Sequence, residues 1–163
     1  MIRHIVNIFL WSLPPTRLFL LRNFLLKIAG IKLGRGVSFC GRSWIYGRGN
    51  LSIGDDTWIS PGALIFTNTE VDITIGKSCD IGPGVEFITG SHHLGSSARR
   101  AGTGFAKAIT VEDGVWIGAS CLILGGVNIG KGSVVGAGAL VKSDVPPNTL
   151  VAGVPAVVKR SLP

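Results

Sequence analysis

His92 and His93 stand side by side in the stretch VEFITGSHHLGSS, residues 85–97, and His4 is the only other histidine of the 163-residue chain. An imidazole near neutral pH can take a proton from a hydroxyl and return it, which is general base work. It can also hold zinc, but a catalytic zinc wants about three ligands from separated positions. An adjacent pair plus a distant His4 does not supply that spacing, so no metal is expected. The three cysteines, Cys40, Cys79 and Cys121, form no C-x-x-C pair and are odd in number. They fit neither a zinc site nor a disulfide framework and read as small buried hydrophobes in a reducing cytoplasm.

The elements that must position these histidines announce themselves by a period of six. From residue 111 the chain divides into VEDGVW, IGASCL, ILGGVN, IGKGSV, VGAGAL and VKSDVP. Aliphatic leaders open each hexad: Val111, Ile117, Ile123, Ile129, Val135 and Val141. Glycine often follows the leader, and a small or β-branched residue comes four places on. The same beat appears at Ile53, Ile59, Ile75 and Ile81, and more faintly at Leu33, Phe39 and Ile45. Six matches neither the helical period nor strand alternation. It matches a chain that makes a short strand, turns a corner with the help of glycine, and repeats. The expectation is an all-β parallel β-helix whose stacked leaders form one core.

The beat stops at the histidines. Segment 92–108 has no aliphatic leaders and holds Arg99, Arg100 and Lys107, so it reads as a loop thrown out of the coil. Loops on rigid scaffolds carry substrate contacts. Residues 32–160 are read as the repeat domain and 1–31 as a separate helical segment. That segment has apolar runs at Ile5–Leu13 and Leu18–Ile28, divided by Pro14-Pro15, and both are too short to span a membrane. Two readings stay open for it: short helices packed on the coil or a neighbouring subunit, and shallow membrane contact through Trp11, Phe19, Phe24 and the arginines. The net charge of +7 is concentrated there, since residues 1–50 carry eight Lys and Arg and no acidic residue. Without interleaved basic and aromatic residues on one surface, nucleic acid is not expected as a partner.

The hexads VWIGASCLILGGVNIGKGSVVGAGALV, followed by DVPPNTLVAGVPAVVKR and preceded by the Gly90-Ser91-His92 tripeptide, resemble the hexapeptide-repeat acyltransferases. The likeness is greatest to the maltose, galactoside and colanic-acid O-acetyltransferase group, and it covers roughly residues 33–160. The resemblance implies a left-handed coil, a hand that spacing does not reveal. It also implies a homotrimer with sites between subunits, acetyl-CoA as donor, and a saccharide acceptor, a surface polysaccharide unit or a lipid-linked precursor. His92 is then the base. His93, Asn68 and Arg99 are acceptor-side candidates, whereas Glu86 lies one hexad earlier and on another face. For coenzyme A the family positions correspond to Trp116, Gly118, Ala119, Ala137, Lys142, Lys159 and Arg160, with the Ala119 N–H facing the thioester carbonyl. Some members carry arginine where this chain has Val157. The location implied is the cytoplasm, at or near the inner face of the membrane. Alternatives on the same scaffold are sugar N-acetylation, a non-catalytic trimeric module, and the γ-class carbonic anhydrases, whose zinc the histidine spacing does not support.

Overall fold

A computed structural model describes residues 1–163. From Lys32 the chain winds as a triangular prism whose three faces are parallel sheets. The first face stacks Lys32–Leu33, Leu51–Ile53, Ile73–Ile75, Ile109–Val111 and Asn128–Ile129. On the second lie Ser38–Phe39, Trp58–Ile59, Asp80–Ile81, Trp116–Ile117, Val134–Val135 and Thr149–Ala152. The third holds Trp44–Tyr46, Leu64–Phe66, Glu86–Ile88, Leu122–Leu124 and Leu140–Val141. The hexad leaders fall into register between coils: Ile53 on Ile75 on Val111, Ile59 on Ile81 on Ile117, and Ile65 on Phe87 on Ile123. Each points into the prism and is buried, as are the residues four places on, Val115, Cys121, Val127, Ser133 and Ala139. One continuous apolar core results. This is the left-handed parallel β-helix that the spacing and the resemblance lead one to expect.

The glycines divide into two kinds, where the hexad pattern assigns a single corner role to the one behind the leader. The left-handed backbone falls three places after the leader, as at Gly114 (φ 69°) and Ser120 (φ 56°). Glycine directly behind the leader serves close stacking of coils instead. A Cβ on Gly118 would lie 2.6 Å from Ala137 N, and one on Gly82 would lie 2.7 Å from Ala119 N. There is no room for a side chain where two backbones approach that closely.

Helices α1 (Ile2–Ser12) and α2 (Phe19–Ile28) lie across the open end of the first coil. Strand edges left without a partner need covering, and polar side chains of the helices provide it. Asn7 Nδ2 donates to Ile45 O at 2.9 Å, while Asn7 Oδ1 accepts from Ile45 N. Asn23 Nδ2 donates to Val37 O at 2.7 Å, and Arg3 reaches the carbonyls of Gly47 and Gly49. Arg22 is fully buried, although on a helical wheel it only leaves the polar side. Its guanidinium donates to the carbonyls of Arg17, Leu10, Leu13 and Pro14, which close the loop between the helices. Burial pushes its pKa down, with Cys40 acting in the other direction. At the far end Val157–Ser161 turns back antiparallel on Thr149–Ala152 and covers the last edge.

All three cysteines lie in the interior as free thiols. Cys79 Sγ donates to Glu112 O and Cys121 Sγ to Gly136 O, both at 3.1 Å. Burial raises all three thiol pKa values. The thiolate is the reactive form, so Ellman's reagent should label none of the three in the folded protein at neutral pH and all three in urea. Rapid labelling of any thiol in the native state would contradict this placement.

The segment 92–108 is not an irregular loop. Gly90–Leu94 and Ala101–Ala106 form an antiparallel hairpin projecting from the corner after the third face, with Ser91 opposite Phe105 and His92 opposite Gly104. Residues 90–94 are exposed throughout. A ribbon with nothing packed beneath it needs no apolar alternation, which is why the periodicity is missing there.

Candidate active site

Along the hairpin strand successive side chains point to opposite sides, so the two histidines part company. His93 turns toward Phe105, its ring centroid 4.5 Å away, and Lys107 Nζ sits 5.8 Å from the centre of the same ring. His92 faces a cavity of about 270 Å³ lined by Asn68, Glu70, Gly90, Ser91, His92, Gly104 and Phe105. Gly104 lies beside the imidazole on the partner strand, where a Cβ would make ordinary van der Waals contact, 3.8 Å from Nε2. Neither ring nitrogen of His92 is hydrogen-bonded within the chain. Asn68 belongs to a register slip between coils, where it forms an isolated bridge to Val71. Its Oδ1 accepts the Glu70 N–H at 2.8 Å, and Nδ2 remains directed to no group of the chain.

The candidate base His92 and one of the three acceptor-side candidates, Asn68, are therefore brought to one cavity, while His93 does not line it. Arg99 lies in the turn at the hairpin tip, outside it. Glu86 stays on the third face between Leu64 and Leu122, and the carboxylate of the cavity is Glu70. Glu70, Gly104 and Phe105 escape sequence reading. Glu70 had a signal in the broken beat at NTE, whereas the other two become visible only once the hairpin pairing is known.

The second cluster of candidates lies at a different corner. Trp116 is exposed on the second face, and with Trp58, Ser60, Asp80, Gly82 and Pro83 it lines a cavity of about 410 Å³. Past Trp116 the chain turns at Gly118-Ala119, and one coil up it turns at Gly136-Ala137. At the corner after the first face, three of the five N–H groups two places behind the leader are taken by carboxylates: Arg35 by Asp55, Lys77 by Asp113 and Lys131 by Glu112. Behind the second face the equivalent N–H groups of Ala119 and Ala137 have no acceptor in the chain. The coils below carry Pro61 and Pro83 at this step, which have no N–H to satisfy. Two stacked, outward donors thus stand free, an arrangement suited to an elongated ligand with carbonyl groups. Lys159 and Arg160 are exposed on the terminal strand, which extends the second face, with Arg160 opposite Leu150. Lys142 follows the third-face strand Leu140–Val141, so it sits at the next corner, the one from which the hairpin springs two coils below.

No residue lines both the His92 cavity and the Trp116 cavity. No three His, Cys, Asp or Glu side chains gather anywhere in the fold. The two cavities stand at separate corners of the prism.

Comparison with known proteins gives this arrangement a context. Residues 108–143 match the family described as "Bacterial transferase hexapeptide (six repeats)". The chain is 35% identical over 154 residues to "Putative colanic acid biosynthesis acetyltransferase WcaF" of Escherichia coli, covering 94% of this chain and 81% of that protein. It is 36% identical over 129 residues to the galactoside O-acetyltransferase of Lactococcus lactis, covering 79% of this chain and 55% of the relative. Across several curated relatives the matched region spans only 44–64% of their length. Among solved structures, a hexapeptide-repeat acetyltransferase of Vibrio cholerae complexed with acetyl coenzyme A superposes with a TM-score of 0.88 at 34% identity. That superposition covers 99% of this chain and 86% of that one.

Proposed function

This chain belongs to the hexapeptide-repeat transferase family, and from that premise we propose that it transfers acetyl from acetyl-CoA to a saccharide hydroxyl at clefts between the subunits of a homotrimer. The observation that carries the reading is the pair of incomplete half-sites. His92, Asn68 and Glu70 stand on one corner, and the free N–H groups of Ala119 and Ala137 stand on another. A threefold arrangement brings one corner of each subunit against a different corner of its neighbour. Acetyl-CoA is the donor, as in the complex of the Vibrio relative, and the acceptor is a unit or precursor of a surface polysaccharide, the class named for the colanic acid relative.

In this mechanism His92 takes the proton of the acceptor hydroxyl as its oxygen attacks the thioester carbonyl carbon. Asn68 holds a neighbouring hydroxyl through its unused amide. The negative charge that develops on the carbonyl oxygen falls to the Ala119 N–H, and a backbone donor fixed by stacked coils needs no reorganisation to receive it. When the tetrahedral intermediate collapses, the C–S bond breaks, the ester forms, and the imidazolium returns its proton to the departing coenzyme A thiolate. The Ala137 N–H lies one coil along the pantetheine arm, with Lys159 and Arg160 farther along the same face for the phosphates. Lys142, at the hairpin's corner, comes from the subunit that donates His92.

Split sites make a specific demand. A His92→Ala chain and a chain obstructed at an exposed position of the donor corner, Ala137→Trp, are each expected to fold and to release no free thiol above background with an active acceptor. Co-expressed in equal amounts, they should recover about a quarter of wild-type activity, because one cleft in four draws both intact halves. Mixed trimers without recovery would mean that both half-sites serve the same cleft from one chain, and the intersubunit assignment would fail.

A further inference from the structure

Both N-terminal helices are apolar on two sides: Val6, Leu10 and Leu26 enter the core, and a second apolar stripe faces away from the coil. In α1, Arg3 and Asn7 face the first coil and are spent on its backbone, while Ile2, Ile5, Ile8 and Phe9 face away and are about half exposed. Helix α2 repeats this: Arg22, Asn23 and Leu26 point in, and Leu20, Phe24 and Ile28 point out, Leu20 at 89% exposure. A helix bordered by water is polar on its outward side. A contiguous apolar surface of this kind marks contact with something outside the chain.

The charge around the stripe selects the occupant. Residues 1–50 hold no acidic side chain, and Arg17, Lys27, Lys32, Arg42 and Arg48 are all exposed beside or behind the helices. A second copy meeting this face with its own helix end would bring like charges together. An anionic lipid surface answers both features, accepting the aliphatic stripe below its headgroups and pairing the cations with phosphates. With 11 and 10 residues the helices lie on a bilayer rather than cross it, and no helix of the chain is long and apolar enough to span one. We infer that the helix pair is a docking base that seats the prism end-on upon an anionic membrane surface. The two roles open for residues 1–31, packing on the coil and touching lipid, belong to opposite sides of the same helices. The His92 hairpin leaves the third coil, so its cavity stands two coil rises, roughly 10 Å, above the first coil. This docking is independent of acetyl transfer.

Flotation of the 163-residue chain tests it. With vesicles of phosphatidylglycerol and phosphatidylcholine in equal parts, the bound fraction at low salt should exceed that on phosphatidylcholine alone by about tenfold and fall as salt is raised. The triple variant Ile5→Ser, Phe9→Ser, Phe24→Ser changes only exposed side chains. It should lose about tenfold in vesicle binding, with melting temperature and oligomeric mass unchanged. Wild-type protein that does not float with anionic vesicles, or a triple variant that floats as well as wild type, overturns the inference. So does a triple variant that stays folded but dissociates, since the stripe would then be a contact between copies.

Discussion

Replacing His92 by alanine is expected to slow acetyl transfer by about 10²–10⁴-fold, the range for removal of a positioned general base. The variant should fold as wild type does, because the histidine is exposed on a ribbon that packs on nothing and makes no hydrogen bond within the chain. Coenzyme A affinity should also persist, since the donor corner at Trp116 and Ala119 shares no residue with the His92 cavity. His93→Ala is the matched control. It removes the ring against Phe105 but no group facing the cavity, and most of the activity should remain. Steady-state thiol release with both variants, and a thermal shift with coenzyme A, decide the matter. Near-wild-type turnover by His92→Ala would remove that imidazole from the chemistry.

Phe87→Ala carries the largest expected effect on stability. Phe87 is fully buried on the third face between Ile65 and Ile123, the one aromatic leader in a column of aliphatic ones. Truncation leaves a ring-sized cavity in a prism whose walls are hydrogen-bonded coils with little freedom to collapse, so a loss of about 3–5 kcal/mol is expected. The next residues lead into the hairpin through Thr89, whose hydroxyl donates to Phe66 O at 2.8 Å. Activity should therefore fall together with the urea midpoint. A loss below about 1 kcal/mol would show that neighbouring coils close over the space.

Much of the prism is legible because a stacked coil repeats one constraint many times. Each leader must be apolar, and where two coils approach closely the residue behind it must be glycine, so Ile117 and Gly118 are readable from spacing alone. Features that depend on contacts between distant segments are not. Arg22 looks like an ordinary helix cation until Leu10, Leu13 and Pro14 turn their carbonyls upon it. Gly104 gains meaning only from lying opposite His92. The site is legible in halves: His92 through the broken beat, and Asn68 through a register slip. Glu70 shares that slip with Asn68, but nothing in the spacing shows that its carboxylate reaches the cavity. Nor can spacing reveal that the Ala119 and Ala137 N–H groups are free. That follows from Asp55, Asp113 and Glu112 serving the neighbouring corner and no acidic side chain serving theirs.

The regular coils also make the molecule a ruler. Val111 and Ile129 stack directly although 18 residues separate them, so duplicating one such turn adds about 4.8 Å of height without altering any lateral contact. Turns inserted between the helical base and the hairpin would lift the imidazole in whole increments, while turns added above it would change nothing at that height. Reach from the base is thus a graduated quantity, adjustable by gene duplication with the chemistry held constant.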